Sequence, residues 1–67
     1  MNGLSVNEKL GLSVTEAAEL IGVSRPFFYE LMRRDDFDAV VHLGRRKVIS
    51  RSKLEEWLRR QAEEGRA

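Results

Sequence analysis

The sequence predicts a small α+β fold, mostly α: two helices joined by a tight turn, a two-stranded β-hairpin and a closing third helix. Three observations predict it. Serine-led helix starts at Ser13 and Ser24 lie either side of Gly22. Two short β-branched runs flank Gly44-Arg45-Arg46. A final amphipathic segment begins near Ser50. The 67 residues leave room for one small domain. A chain of this size buries only about 60% of the surface its unfolded form exposes, too little to enclose a cofactor or a deep substrate pocket.

Met1 to Gly11 holds two glycines and two asparagines with weak periodicity, and reads as a mobile N-terminal arm, residues 1–11. Gly3-Leu4-Ser5-Val6-Asn7-Glu8 echoes Gly11-Leu12-Ser13-Val14-Thr15-Glu16, at an offset too short for a solenoid repeat. The folded domain is expected over residues 12–61. Ser13-Val14-Thr15-Glu16 has the spacing of a capping box, in which serine and glutamate each satisfy the other's backbone amide. The first helix is expected from about Val14 to Ile21, with Ala17, Leu20 and Ile21 on one face. Gly22 ends it, because glycine takes the left-handed conformation that closes a helix. Ser24 caps a second helix, Pro26 sits harmlessly in its first turn, and the helix runs to about Arg34. Phe28, Leu31 and Met32 form its inward stripe. Asp35-Asp36-Phe37-Asp38 is a loop whose phenylalanine folds under as a plug.

Ala39 to Leu43 and Lys47 to Ser50 are the two strands of the hairpin, with Gly44-Arg45-Arg46 as its tip. Alternation puts Val41 and Leu43 on one face and Val40 and His42 on the other, taken as the outer one. Ser50 or Ser52 caps the third helix, since both have the required spacing. Leu54, Trp57, Leu58 and Gln61 are its inward stripe, and residues 62–67 form a frayed tail.

Charge narrows the function. The net charge is +1, but its distribution is uneven. Residues 1–23 carry −2, residues 24–53 carry +4 and residues 54–67 carry −1. Leu43 to Leu54 contains no acid at all. Clustered cations are the footprint of a polyanion binder, although mixed-charge runs also serve simply as solvated surface. No cysteine is present, which excludes disulfides, thiolate metal sites and cysteine nucleophiles. A single histidine, His42, excludes a His-rich metal site and a Ser-His-Asp set. The glycines are scattered, with no phosphate loop after a strand. The expectation is a non-enzymatic binding module with no cofactor. No segment reaches the ~20 apolar residues of a membrane span, and the N-terminus lacks a secretory pattern, so a cytoplasmic protein is expected.

The spacing between Val14 and Leu31 carries the functional argument. Ala18 lies four residues before Gly22; Val23 and Ser24 follow; Phe28 and Leu31 come later. Alanine lets the second helix cross close to the first, glycine reverses the chain, Val23 plugs the corner, and the later apolar residues anchor the second helix. This is the helix-turn-helix pattern, whose second helix enters the DNA major groove. Two packed helices without nucleic acid remain the alternative. The free face carries Ser24, Arg25, Phe27, Tyr29, Arg33 and Arg34, with Glu30. Arg25 suits either a guanine edge or a phosphate. Tyr29 suits a phosphate or sugar, or covers the helix pair. Phe27 suits a thymine methyl or, in a rotated helix, the core. Arg45, Arg46 and Lys47 make the hairpin tip a basic wing for phosphates or the minor groove, beyond what protection of a sheet edge requires. His42 meets phosphate or solvent, and Trp57 belongs to the core rather than to a stacking platform.

Leu12-Ser13-Val14-Thr15-Glu16-Ala17-Ala18-Glu19-Leu20-Ile21-Gly22-Val23-Ser24-Arg25 resembles the opening of excisionase-family helix-turn-helix domains. Val41-His42-Leu43-Gly44-Arg45-Arg46 is similar to that family's wing, and Ile49-Ser50-Arg51-Ser52-Lys53-Leu54-Glu55-Glu56-Trp57-Leu58 to its closing helix. The resemblance covers roughly residues 12–61 and implies a MerR-like winged helix, in the neighbourhood of AlpA-like prophage regulators. It implies double-stranded DNA binding on a mobile element or phage, as a recombination directionality factor or a small transcriptional regulator. Such a factor bends DNA and helps a separate integrase. A module docking an integrase or another acidic partner is the rival from a different class. Phe27 stands where the family more often has a small polar residue, Glu30 where it often has a base, His42 where arginine or lysine is usual, and Asp38 where proline is usual. The first two alter the face that reads bases. One copy presents one recognition helix and one wing, so a free monomer that assembles cooperatively on DNA repeats is expected.

Overall fold

The computed structural model describes residues 9–65; residues 1–8 of the arm expected at 1–11, and residues 66–67 of the tail expected at 62–67, lie outside the described residues. In chain order the elements are β1 (Gly11–Leu12), α1 (Val14–Ile21), α2 (Arg25–Met32), β2 (Val40–Leu43), β3 (Arg46–Ser50) and α3 (Arg51–Glu64). The expected winged helix-turn-helix is present, and its sheet has three antiparallel strands in the order β1-β3-β2.

The two-stranded wing forms as expected, but a third strand joins its sheet and corrects the expectation of an arm reaching Gly11. Gly11 pairs with Ser50 and Leu12 with Ile49. Leu10 then offers its carbonyl to the Arg51 amide at 2.9 Å, satisfying one of the donors that a helix start leaves open. A two-residue strand is too short to show alternation, so only the tertiary pairing reveals it.

Both halves of the capping box form at Ser13, with the Glu16 amide donating to Ser13 Oγ at 3.1 Å and the Ser13 amide to Glu16 Oε1 at 3.0 Å. Gly22 adopts a φ of 84° and donates to Ala18 and Glu19, while Val23 also donates to Ala18 at 2.9 Å. These paired bonds are a Schellman closure. They reverse the chain within three residues, and Ser24 then caps α2 by accepting from Phe27 at 3.3 Å.

α2 ends at Met32, two residues before the expected Arg34. Its last turn tightens into three-residue bonds, Arg33 to Glu30 and Arg34 to Leu31, and Phe37 closes a further turn on Arg34. Phe37 folds under as expected. Its ring meets Phe28 edge-on at 5.7 Å and Trp57 at 5.0 Å. Arg34 lies over the Trp57 ring at 5.7 Å and forms a bidentate pair with Asp36 at 2.9 and 3.0 Å. Gln61 bonds both partners, and Arg60 reaches Asp38, so the loop is strapped to α3.

The hairpin turn consists of Gly44 and Arg45 alone, and Arg46 belongs to β3, where it faces Leu43. Gly44 has a φ of 62° while Arg45 stays negative, a pattern that a primed two-residue turn requires. The hairpin faces are the reverse of those expected. Val40 pairs with the buried Ile49 and packs on the core, so the Val40–His42 face is the inner one and Val41 and Leu43 face outward. Ala39 is buried just outside the strand, and that anchor decides which way the alternation falls.

Ser50 is the cap of α3, accepting from Lys53 at 3.3 Å. Pairing of β3 ends there, so the chain must turn at Ser50 rather than at Ser52. The helix continues to Glu64, further than the expected fraying at residue 62. Leu54 and Trp57 are buried, but Leu58 is 42% exposed, contrary to its expected place in the inward stripe. No helix covers that flank of α3, so the buried stripe is narrower than the apolar pattern.

One core gathers Leu12, Ala17, Ala18, Phe28, Ala39, Ile49 and Leu54, edged by Val23, Leu31, Met32 and Phe37. Replacing the buried Trp57 with alanine is expected to cost about 3–5 kcal/mol. That is a large share of the roughly 5–15 kcal/mol that holds a domain folded. Thermal unfolding tests this, and an unchanged midpoint would contradict it.

Two carboxyl groups sit below their ordinary values. Glu16, ordinarily 4.5, is lowered by the hydrogen bond from Lys9 and then by the Ser13 amide. Asp36, ordinarily 3.8, is lowered by the hydrogen bond from Arg34, supported by that guanidinium's charge and by Gln61. Because folding lowers both values, their stabilisation is fully present above the ordinary pKa and disappears as pH falls through the folded one. Stability is expected to decline with acid below about pH 4.5, and Glu16→Gln with Asp36→Asn to flatten that decline. Urea midpoints measured from about pH 6 down to about pH 2 check this. An equally steep acid limb in the double variant would contradict it.

Candidate nucleic-acid interface

Burying Phe28 determines what α2 can present. Successive helical side chains diverge by about 100°, so its neighbours must turn away from the core. Phe27 is 48% exposed and Tyr29 45% exposed, which removes the core alternative for Phe27. Ser24, Arg25, Glu30 and Arg33 are exposed too. Arg25, Pro26 and Tyr29 line a shallow, mostly apolar depression of about 390 Å³. Glu30 is the single acid of the helix.

The second surface is the wing, where Arg45, Arg46 and Lys47 are all exposed. The turn carries Arg45, while Arg46 and Lys47 start β3 and project to opposite faces of the sheet. Arg46 and Lys47 also border a groove of about 530 Å³ that reaches the start of α1 through Lys9, Ser13 and Thr15. The Lys9 ammonium pairs with Glu16 at that edge and offsets its negative charge.

Among the described residues the ion pairs engage Lys9, Arg34, Arg51 and Arg60. Arg25, Arg33, Arg45, Arg46 and Lys47 are in none of them. Lys53 and Arg59 of α3 are in none either. Arg34 is exposed but held by Asp36, Gln61 and the Trp57 ring, whereas the cations of α2 and of the wing tip face solvent without acidic partners. Unpaired cations on two separate surfaces suit a polyanion whose charges are spread over a wide face, as on a DNA duplex.

Lys9 and Thr15 were not read from the sequence as part of a basic groove. Lys9 is the sole base of the first 23 residues, and nothing local ties it to the wing. Only the pairing of β1 with β3 brings it there. His42 is exposed on the same sheet face as Lys47 and has no hydrogen-bond partner among the described residues.

No helix of the described residues is long and apolar enough to cross a membrane. No curated protein and no solved structure matches the chain. A family model described as a helix-turn-helix domain matches residues 12–62, a span that opens at β1 and takes in both helices of the motif, the wing and most of α3. With that match over the same elements that build the two open cationic surfaces, the chain belongs to the helix-turn-helix domain family, of the excisionase-like type, and is a DNA-binding protein.

Proposed function

We propose that the protein binds double-stranded DNA sequence-specifically and serves as an excisionase, a recombination directionality factor of a mobile element or prophage. It shapes DNA for a separate integrase and does not itself cut. The observation that carries this reading is the pair of open cationic surfaces, α2 and the wing, joined on one small rigid core. A transcriptional regulator would use the same surfaces. Placement of the bound site separates the two: a directionality factor occupies repeats beside a recombination attachment site, and a regulator occupies a promoter.

In this reading the start of α2 enters the major groove. Arg25 pairs with a guanine edge, Phe27 meets a thymine methyl, and Ser24, Tyr29 and Arg33 hold the sugar-phosphate backbone. Arg45, Arg46 and Lys47 lie on phosphates or in the minor groove. Arg34 contributes through the loop it braces, because its guanidinium is already engaged by Asp36 and Gln61. A gel shift at moderate salt followed by a footprint tests the reading. Failure to shift any duplex would overturn it.

Removing the wing cations separates electrostatic from sequence-reading contacts. Arg45→Ala with Arg46→Ala is expected to weaken binding to all duplexes alike. It should also flatten the log–log salt dependence by about 0.9 per lost phosphate contact. An unchanged slope would take the wing out of the interface. Arg25→Ala should instead relax discrimination at one base position, at a cost of about 1–3 kcal/mol on the preferred site.

Assembly follows from size. One module of this kind buries about 600–1,000 Å² on DNA, which suits modest affinity. Several copies are expected on direct repeats about one helical turn (10–10.5 bp) apart or closer. The free chain is expected to be monomeric, since Trp57 and Leu54 of α3 are taken up by its own core. Sedimentation without DNA, and titration of duplexes with one, two and three repeats, check both points. A stable free dimer, or equal affinity for one repeat and three, would contradict them.

A further inference from the structure

The wing carries one side chain that neither the core nor its charge explains. Leu43 closes β2, next to the Gly44–Arg45 turn and opposite Arg46, and it is 59% exposed. Alternation places it on the outward face with Val41 and Val48, away from the Val40–Ile49 face that packs on the core. A tight turn imposes no demand for leucine at this position, and a polar residue would leave the hairpin equally folded. It is thus an apolar side chain open to contact at the tip of a basic wing.

Its surroundings say what covers it. Arg45 lies beside it in the turn and Arg46 lies opposite it on the same face, and no acid occurs from Leu43 to Leu54. An apolar side chain flanked by Arg45 and Arg46 matches a surface that is anionic outside and apolar within. Duplex DNA has that construction, with phosphates at the groove edge and stacked bases behind them. The two-residue turn also keeps the tip narrow, and leucine is one of the side chains able to wedge between base steps from the minor groove. Resting on the DNA-binding reading above, we propose that Leu43 is a wedge: it enters the minor groove beside Arg45 and Arg46, unstacks one base step and bends the duplex there. The flanking guanidiniums hold the two phosphate strands while the leucine separates the bases. Flexible pyrimidine–purine steps are the preferred place, because they unstack most readily.

The test uses the full chain and a duplex of about 30 bp that it selects from a randomised pool. 2-Aminopurine is moved base by base through the segment the wing protects, and end-attached fluorophores report the bend. The wild type is expected to brighten 2-aminopurine at one step and to bend the duplex by roughly 20–90°. Leu43→Ala, whose site is exposed and whose fold is verified by circular dichroism, should lose the brightening and most of the bend. Leu43→Met, which keeps an apolar wedge, should retain both. Uniform fluorescence under the bound wild type, or brightening unchanged in Leu43→Ala, would overturn the wedge and leave DNA binding standing. If Leu43→Ala instead leaves the DNA unchanged and lowers self-association in sedimentation, the leucine is a protein contact and the proposal fails. If the wild type selects no duplex at all, the DNA-binding reading fails and the wedge falls with it.

Discussion

The structure depends on one burial, that of Phe28. It is the only fully buried residue of α2, and it reaches the point where α1, the Phe37 loop and the sheet converge. With it inside, helical geometry forces Phe27 and Tyr29 outward on either side. The same ring receives Phe37 edge-on, and Phe37 in turn receives Trp57. The orientation of the recognition helix and the seating of α3 are therefore set through one aromatic chain. A domain with so small a core concentrates its specificity of packing at such a point.

Electrostatics plays a different part at each surface. The Arg34, Asp36, Gln61, Arg60 and Asp38 contacts are solvent-exposed, and exposed ion pairs contribute little to stability. Their effect is geometric. They hold the four-residue loop against α3, which keeps Phe37 beneath Phe28 and Trp57. The cations of α2 and the wing have no such partners among the described residues. Leaving them unpaired forgoes small folding gains and keeps their charge available for an external polyanion, where counterion release makes each cation effective.

Much of this arrangement was legible because it is written in local chemistry. The Ser13-to-Glu16 box, the Gly22 reversal and the Pro26 placement are short-range signals, and each acts within a few residues. Phe37 was legible because an aromatic ring among three aspartates has no other reason to be there. What local chemistry leaves open is decided by distant partners. Ser50 and Ser52 are equivalent as caps until β3 ends at Ser50. The inner hairpin face is ambiguous until Ala39 and Ile49 are seen in one core. β1 exists only because Ser50 and Ile49 lie beside it. Leu58 has the right helical period but no neighbour to bury it. In the site, the exposed positions of α2 and the wing follow from pattern. The commitment of Arg34 to Asp36 and Gln61, and the reach of Lys9 to the groove, depend on contacts the linear order does not encode.

The two cationic surfaces are anchored differently, and in the proposed reading that difference gives them different roles. α2 is held by Phe28, Leu31 and Met32 and by the Schellman turn, so in the proposed reading its side chains would meet DNA in one orientation. A rigid face discriminates, because a wrong base leaves a donor or acceptor unpaired. The wing is a two-stranded ribbon that extends past β1, with its tip residues exposed and its core contacts confined to the Val40–Ile49 end. A ribbon anchored at one end can tilt to follow a groove, so its cations tolerate many sequences and supply affinity. In that reading, base contacts from the helix and phosphate contacts from the wing together let a core of eight buried apolar side chains serve a large ligand. The compliance has to sit in the wing, because loosening α2 would require displacing Phe28, and with it the packing of the whole domain.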